Sequence, residues 1–142
     1  MSSYQDCKQS HSQCVVCGDA KQNPLSLQCK FFADGDNQVV GYHKASQQLQ
    51  GYTSFLHGGV ASTLVDAAMT HCLLMQGIKA LTAEMTVRFV APIKVGDAIK
   101  IVGHLVSKRL GMYQLEAVLY VENKACVTAK AKFIQHRNGV IG

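Results

Sequence analysis

The sequence predicts an α+β fold in which one antiparallel sheet of about six strands wraps around a long central helix. One long apolar segment lies in the middle of the chain, at residues 58–76. Four later segments alternate apolar and polar residues with period two, which is the pattern of strands covered on one face. Two shorter strand-like segments precede the apolar segment, which brings the expected number of strands to six.

The first part of the chain differs in character from the rest. Residues 1–24 are polar, contain turn-forming residues and end at Asn23-Pro24, so we expect an irregular N-terminal arm. The sequence contains no internal repeat and no second apolar core. The predicted organisation is therefore an arm over residues 1–24 and one domain over residues 25–138.

A hairpin is predicted directly after the arm. Residues 25–32 have the composition of a strand, the Asp-Gly-Asp sequence at residues 34–36 signals a turn, and residues 39–43 resemble a returning strand. Residues 45–55 are polar and predict a loop or a short helix.

The central helix is the clearest element of the prediction. Residues 58–76 are rich in Ala, Leu and Met, contain no Pro, and are followed by Gly77 as a natural stop. The segment is apolar on nearly all sides, which is typical of a buried helix.

Four strands with a meander connection are predicted after the helix. Gly96-Asp97, Gly111 and Glu122-Asn123 provide short turns between them. Each segment places apolar residues at alternate positions: Ala83, Met85, Val87, Phe89; Ile99, Ile101, Gly103, Leu105; Leu115, Ala117, Leu119, Val121; and Val127, Ala129, Ala131, Phe133.

Composition excludes some classes of function. The formal net charge of +5 suits an anionic ligand, but the Lys and Arg residues are scattered, so nucleic acid is not an expected partner. No apolar run reaches the roughly 18 residues of a membrane helix. The polar N-terminus lacks the apolar core of a secretory signal, so a cytoplasmic location is expected.

Cysteine usage raises the question of a metal. Cys72 and Cys126 lie in apolar segments and are expected in the core. Four residues of the arm carry the donor atoms of structural zinc sites: Cys7, His11, Cys14 and Cys17. Strong zinc signatures contain two spaced pairs, and the arm has only one Cys-x-x-Cys. We therefore expect reduced cysteines that pack the arm against the sheet, and no stoichiometric zinc.

The start of the central helix has the composition of an oxyanion site. His57-Gly58-Gly59 opens the helix, and glycines allow another molecule to approach the backbone closely. The first N–H groups of a helix have no partner within it, and the helix dipole there favours negative charge. Such a site can stabilise a carbonyl oxygen that is becoming an oxyanion.

Asp66 is a carboxylate within an otherwise apolar segment, where an unpaired charge is costly. It could pair with a buried polar neighbour, activate water as a general base, or attack a carbonyl itself. Asp66 lies about 12 Å from Gly58 along the helix axis. One chain therefore cannot bring both to one carbon atom, whereas two antiparallel helices in a dimer can.

These motifs resemble the phenylacetate-degradation (PaaI-type) branch of hotdog-fold thioesterases over about residues 14–133. The matching motifs are His57-Gly58-Gly59 with Asp66, the segment 82–89, Pro92, Gly96-Asp97, Cys14-Val15-Val16-Cys17-Gly18 and Asn23-Pro24. The resemblance implies a hotdog fold, hydrolysis of an acyl- or aryl-CoA thioester without a cofactor, and assembly as homodimers or homotetramers.

The resemblance also implies roles for four catalytic residues. The backbone N–H of Gly58 would polarise the thioester carbonyl, and Asp66 of the facing subunit would act as nucleophile or general base. Thr82 would help to orient the attacking water, and His57 would shape the loop near the thioester. Each has a structural alternative: a helix cap for His57, a tight turn for the glycines, and an ordinary strand residue for Thr82.

Substrate-binding roles are expected for Gly59, Gln50 and Arg88. Relatives carry Asn or Gln six or seven residues before the histidine, where this chain has Gly51 and Gln50. Two other functions remain open. One is a non-catalytic module that binds acyl-CoA, and the other is a hotdog dehydratase acting on 3-hydroxyacyl thioesters, which the Gly-Gly pair after His57 disfavours.

Overall fold

The computed structural model describes residues 4–135, which form a six-stranded antiparallel sheet and two α-helices. The strand order across the sheet is β1-β2-β4-β5-β6-β3. The elements in chain order are α1 (Tyr4–Gln9), β1 (Phe31–Ala33), β2 (Gln38–Lys44), a 3-10 helix (Gln47–Leu49), α2 (Gly58–Leu74), β3 (Leu81–Phe89), β4 (Ala98–Arg109), β5 (Met112–Val121) and β6 (Lys124–Ile134).

Helix α2 packs against one face of the sheet, and the core lies between them. The alternating apolar residues predicted for β4, β5 and β6 line this face, and most of them are buried. Gly103 marks the closest approach, because a Cβ atom there would lie 3.0 Å from the backbone of Ala68. A larger residue at position 103 would therefore push the helix away from the sheet.

The predicted meander is correct for three strands and wrong for the fourth. β4, β5 and β6 are joined by tight turns, and Gly111 and Asn123 there have positive φ angles. β3 instead pairs with β6 at the far edge of the sheet, so the connection containing Gly96-Asp97 is a crossover and not a hairpin. The crossover spans three strand spacings, about 14 Å, which residues 90–97 can cover because their extended reach is about 25 Å.

The N-terminal region differs from the prediction in two respects. The arm contains the short helix α1, and the first strand begins only at Phe31 instead of residue 25. Leu27 and Cys29 donate backbone hydrogen bonds to the carbonyls of Val15 and Val16 in the arm, so this segment pairs with the arm and not with the sheet. The hairpin of β1 and β2 is confirmed, while the division of the chain at residue 24 stays a prediction.

The surface of helix α2 is less uniformly apolar than the sequence suggested. Its buried residues face the sheet and the arm. A partly exposed stripe with a spacing of three to four residues runs along the other side: Gly59, Ser62, Thr63, Asp66 and Thr70. The hydroxyls of Ser62 and Thr70 donate to carbonyls one turn earlier, so this stripe is polar without leaving those donors unsatisfied. None of the helices within residues 4–135 combines the length and apolar character needed to cross a membrane.

Candidate active site

His57 caps the N-terminus of helix α2. Its Nδ1 accepts a hydrogen bond of 2.8 Å from the backbone N–H of Gly59. Two glycines flank the imidazole ring closely, since a Cβ atom would lie 3.0 Å from the ring at Gly59 and 3.2 Å from it at Gly51. The ring is therefore held in one orientation, and the cap that the sequence left open for His57 is present.

Because of this cap, the two glycines at the start of the helix have different roles. The N–H of Gly59 is committed to His57, so Gly59 provides space and not a free donor. Gly58 is the first helical residue, and its N–H has no acceptor within the helix. Leu56 N–H donates to the carbonyl of Ile93 at 2.8 Å, which ties the helix start to the crossover.

Gly58 borders an apolar cleft between the start of α2 and the crossover. The cleft has a volume of about 250 Å³. A Cβ atom on Gly58 would make ordinary contact with the Phe89 ring at 3.5 Å. The cleft is lined by Leu56, Gly58, Ala61, Phe89, Val90, Ala91, Pro92, Ile93 and Val127. The cleft can hold an apolar group whose carbonyl lies beside the N–H of Gly58.

Asp66 and Thr82 form the second part of the site. The Thr82 hydroxyl donates to Oδ1 of Asp66 at 2.6 Å. Thr82 lies opposite Phe133, a fully buried residue of β6, and a register shift follows between Thr82 and Glu84. This irregularity keeps the Thr82 side chain on the helix face of β3. The hydroxyl to which the resemblance assigned the orientation of water thus contacts the carboxylate itself.

The surroundings of Asp66 shift its pKa. Burial raises the pKa of Asp66 above its ordinary value, and the hydrogen bond from Thr82 lowers it in part. Among charges farther away, Cys14 of the arm raises the Asp66 pKa and His11 lowers it. A half-buried carboxylate with a raised pKa and one fixed oxygen is suited to accept a proton or to attack a carbonyl.

The structure leaves two predicted binding residues away from Asp66. Oε1 of Gln50 accepts a 2.9 Å hydrogen bond from the N–H of Ser54 and closes its own loop. Arg88 pairs with Thr128, whose neighbours Val127 and Ala129 face the helix. Because strand side chains alternate, Arg88 points to the face of the sheet away from the helix, and its substrate-binding role stays a prediction.

One buried polar residue near this site was missed by the sequence analysis. His71 lies on α2 with 1% of its surface exposed. Its Nδ1 is 3.0 Å from the Tyr4 hydroxyl, and its ring stacks on Phe31 with centroids 4.7 Å apart. The signal was a second ionisable residue in the apolar helix, but its partners come from the arm, 67 positions earlier.

The fold matches those of known proteins. The structure superposes on the Escherichia coli PaaI protein from the phenylacetic acid degradation operon with a TM-score of 0.79 and 16% identity, over 93% of this chain and 95% of that one. A hypothetical thioesterase from Streptococcus pneumoniae solved with coenzyme A gives 0.72 at 18% identity, over 75% and 87%. The chain therefore has the hotdog fold, as predicted.

Sequence comparison adds similarity to a family. Residues 53–122 match the thioesterase superfamily. Over 67 residues the chain is 30% identical to mouse acyl-coenzyme A thioesterase 13, which is 46% of this chain and 48% of that protein. The chain spans less than half the length of the curated relatives it matches. The chain thus has a hotdog fold and is similar to the thioesterase superfamily over residues 53–122, so the predicted resemblance to hotdog-fold thioesterases is confirmed.

Proposed function

We propose that this protein hydrolyses an acyl- or aryl-CoA thioester to the free acid and CoA. The observation that carries the proposal is the Asp66 carboxylate, held by Thr82 in the middle of the helix that begins at Gly58. The matched family and the acyl-CoA thioesterase relatives support this reaction class. The test is release of CoA from a panel of acyl-CoA substrates, with an Asp66→Asn variant as comparison.

Asp66 would act on the thioester carbonyl in one of two ways. As a general base, it takes a proton from water while the water oxygen bonds to the carbonyl carbon. As a nucleophile, it bonds to that carbon itself, and water then hydrolyses the resulting anhydride. In both routes the carbon–sulfur bond breaks, CoA leaves as a thiolate, and the thiolate takes up a proton.

The backbone N–H of Gly58 would stabilise the oxyanion. A donor aimed at the developing charge contributes about 10²–10³ in rate in a well-studied acyl-transfer enzyme, a serine protease. The apolar cleft beside Gly58 would hold the acyl or aryl group. The positive net charge suits the CoA phosphates.

The orientation of His57 favours hydrolysis over dehydration. A dehydratase needs a histidine with a free lone pair that can accept a substrate proton. Nδ1 of His57 already accepts from the N–H of Gly59, so the ring proton resides on Nε2 in the neutral imidazole. His57 is therefore a donor at its free nitrogen and orients the loop at the thioester.

The active unit proposed here is a homodimer with two shared sites. Gly58 and Asp66 lie on the same helix, about 12 Å apart along its axis, so the site needs Gly58 of one chain and Asp66 of its partner. β3 is an edge strand with mostly exposed residues, including Leu81 at 51% and Phe89 at 56%. A partner chain would cover this edge and the polar stripe of α2.

Two further expectations belong to the same proposal. Pairs of dimers would form a homotetramer, as the PaaI-type resemblance implies. The protein would be located in the cytoplasm, because its six cysteines are unpaired and cytoplasmic thiols are kept reduced.

A Gly58→Ala variant should lose activity while keeping its stability. The added methyl group meets the Phe89 ring only at 3.5 Å, so the fold accepts it. It would crowd the thioester carbonyl, and we expect kcat/KM to fall by about tenfold to a hundredfold with little change in Tm. Equal kcat/KM in the two proteins would show that no substrate approaches this backbone.

The Thr82 hydroxyl should set the acid limb of the pH–rate profile. Ionised Asp66 is the active form, so kcat/KM rises with pH through its pKa. In Thr82→Val the hydrogen bond that lowers this pKa is lost, and the limb should move to higher pH. Thr82→Ser keeps the hydroxyl and should retain the wild-type limb. Coincident limbs in Thr82→Val and wild type would contradict the role of Thr82.

A further inference from the structure

The arm brings three metal-binding side chains together outside the proposed hydrolytic site. The donor atoms of His11, Cys14 and Cys17 all lie within 4.8 Å of one another. Nδ1 of His11 and Sγ of Cys17 are 3.7 Å apart. All three residues are half-buried, and the reaction proposed above uses none of them as a catalytic group.

The spacing of these atoms fits the edges of a tetrahedral metal site. Zinc–sulfur and zinc–nitrogen bonds of about 2.3 and 2.0–2.1 Å place sulfur and nitrogen ligands about 3.6 Å apart and two sulfur ligands about 3.8 Å apart. The distance of 3.7 Å between His11 and Cys17 is close to such an edge. Small side-chain rotations would bring the three donors to bonding distance of one ion.

The backbone around Cys14 forms a turn, and one N–H group of this turn donates to the sulfur of Cys14. The N–H of Val16 donates to Sγ of Cys14 at 3.4 Å, and the N–H of Gly18 donates to the Cys14 carbonyl at 2.8 Å. A Cβ atom at Gly18 would lie 2.5 Å from Cys14 backbone atoms, so this turn requires glycine. Backbone donation to sulfur stabilises a thiolate, which is the form that binds metals.

A buried nitrogen beside the cluster lacks a partner. The His71 ring lies 6.1 Å from the His11 ring, and its Nε2 has no hydrogen-bond partner within the described part of the chain. An unsatisfied buried polar atom is costly and indicates a missing ligand or water.

We propose that His11, Cys14 and Cys17 bind one divalent transition metal of the zinc class, with water in the fourth position. Two thiolates and an imidazole are the donors that zinc prefers. The metal would hold the arm against the hydrophobic core, in which Val16 of the arm is already buried. The sequence alone favoured no zinc because the arm has only one Cys-x-x-Cys, and the structure places His11, one of the four candidate donors, beside that pair.

The test is the metal content of the full-length protein purified without chelators. Wild type should contain about one zinc per chain. Cys14→Ser and Cys17→Ser should each lower zinc affinity by about tenfold or more. Cys126→Ser removes a buried thiol on β6 that donates to the Lys124 carbonyl and lies outside the arm, and this control should keep the wild-type zinc content.

Cobalt(II) added to the metal-free wild-type chain provides a readout that needs no variant. We expect thiolate-to-cobalt charge-transfer absorption and the intense visible bands of a tetrahedral site. Zinc should also raise the Tm of wild type through binding to the folded state. The proposal is overturned if wild type takes up neither metal, or if a folded Cys14→Ser/Cys17→Ser double variant keeps its zinc.

Discussion

Replacing Asp66 with Asn should lower kcat for acyl-CoA hydrolysis by about a hundredfold or more, with the fold intact. The amide has the shape of the carboxylate, and its oxygen can still accept the hydrogen bond from Thr82. It cannot take a proton from water or attack a thioester. The loss should therefore fall on kcat, whereas substrate binding should change little.

A matched control separates this effect from a general effect of charge. Asp36 is exposed in the turn between β1 and β2, so Asp36→Asn makes the same chemical change outside the candidate active site. It should leave both kcat and Tm unchanged. If folded Asp66→Asn hydrolyses every acyl-CoA as fast as wild type, Asp66 is not the catalytic carboxylate.

Mixing two inactive variants should restore activity if each site is shared between two chains. An Asp66→Ala chain keeps Gly58, and a Gly58→Leu chain keeps Asp66. A mixed dimer would then contain one intact site and one doubly damaged site. Random exchange makes half of the dimers mixed, so the mixture should reach about a quarter of wild-type activity.

This experiment depends on verified exchange of subunits. Chains of different mass can be separated as homodimers and mixed dimers, and the activity should be found in the mixed fraction. A doubly substituted chain mixed with either single variant provides the control, and it should restore nothing. No recovery in isolated mixed dimers, or full activity in a demonstrated monomer, contradicts the shared site.

The elements with strong periodicity could be predicted from the sequence alone. The inner faces of β4, β5 and β6 followed from period-two alternation, because each of these strands is covered on one side only. The central helix followed from its apolar composition and from Gly77, which has a positive φ angle after the helix end. These signals are local, so one sequence is sufficient to detect them.

The errors arose where contacts between distant segments decide the structure. The alternation of β3 contains no information about whether it pairs with β4 or with β6. Residues 27–29 have strand composition, but their hydrogen bonds go to the arm. The sequence also could not show the partner of Arg88, which pairs with Thr128 on the neighbouring strand β6.

The candidate site shows the same division between local and distant information. The His57 cap and the N–H of Gly58 follow from a few consecutive residues. The hydrogen bond between Thr82 and Asp66 joins two elements, so the sequence suggested each residue separately but not their contact. His11 and Cys17 are close in sequence, yet only the fold of the arm shows their donor atoms 3.7 Å apart.

Hydrolysis by the wild-type protein tests the central claim most directly. Purified full-length protein would be incubated with short-chain, medium-chain, long-chain and aromatic acyl-CoAs, and free CoA would be measured by chromatography. We predict that at least one substrate is cleaved with kcat/KM of about 10⁴ M⁻¹s⁻¹ or higher, and that Asp66→Asn abolishes most of this activity. Binding of acyl-CoA without release of CoA from any substrate would contradict the proposed thioesterase activity.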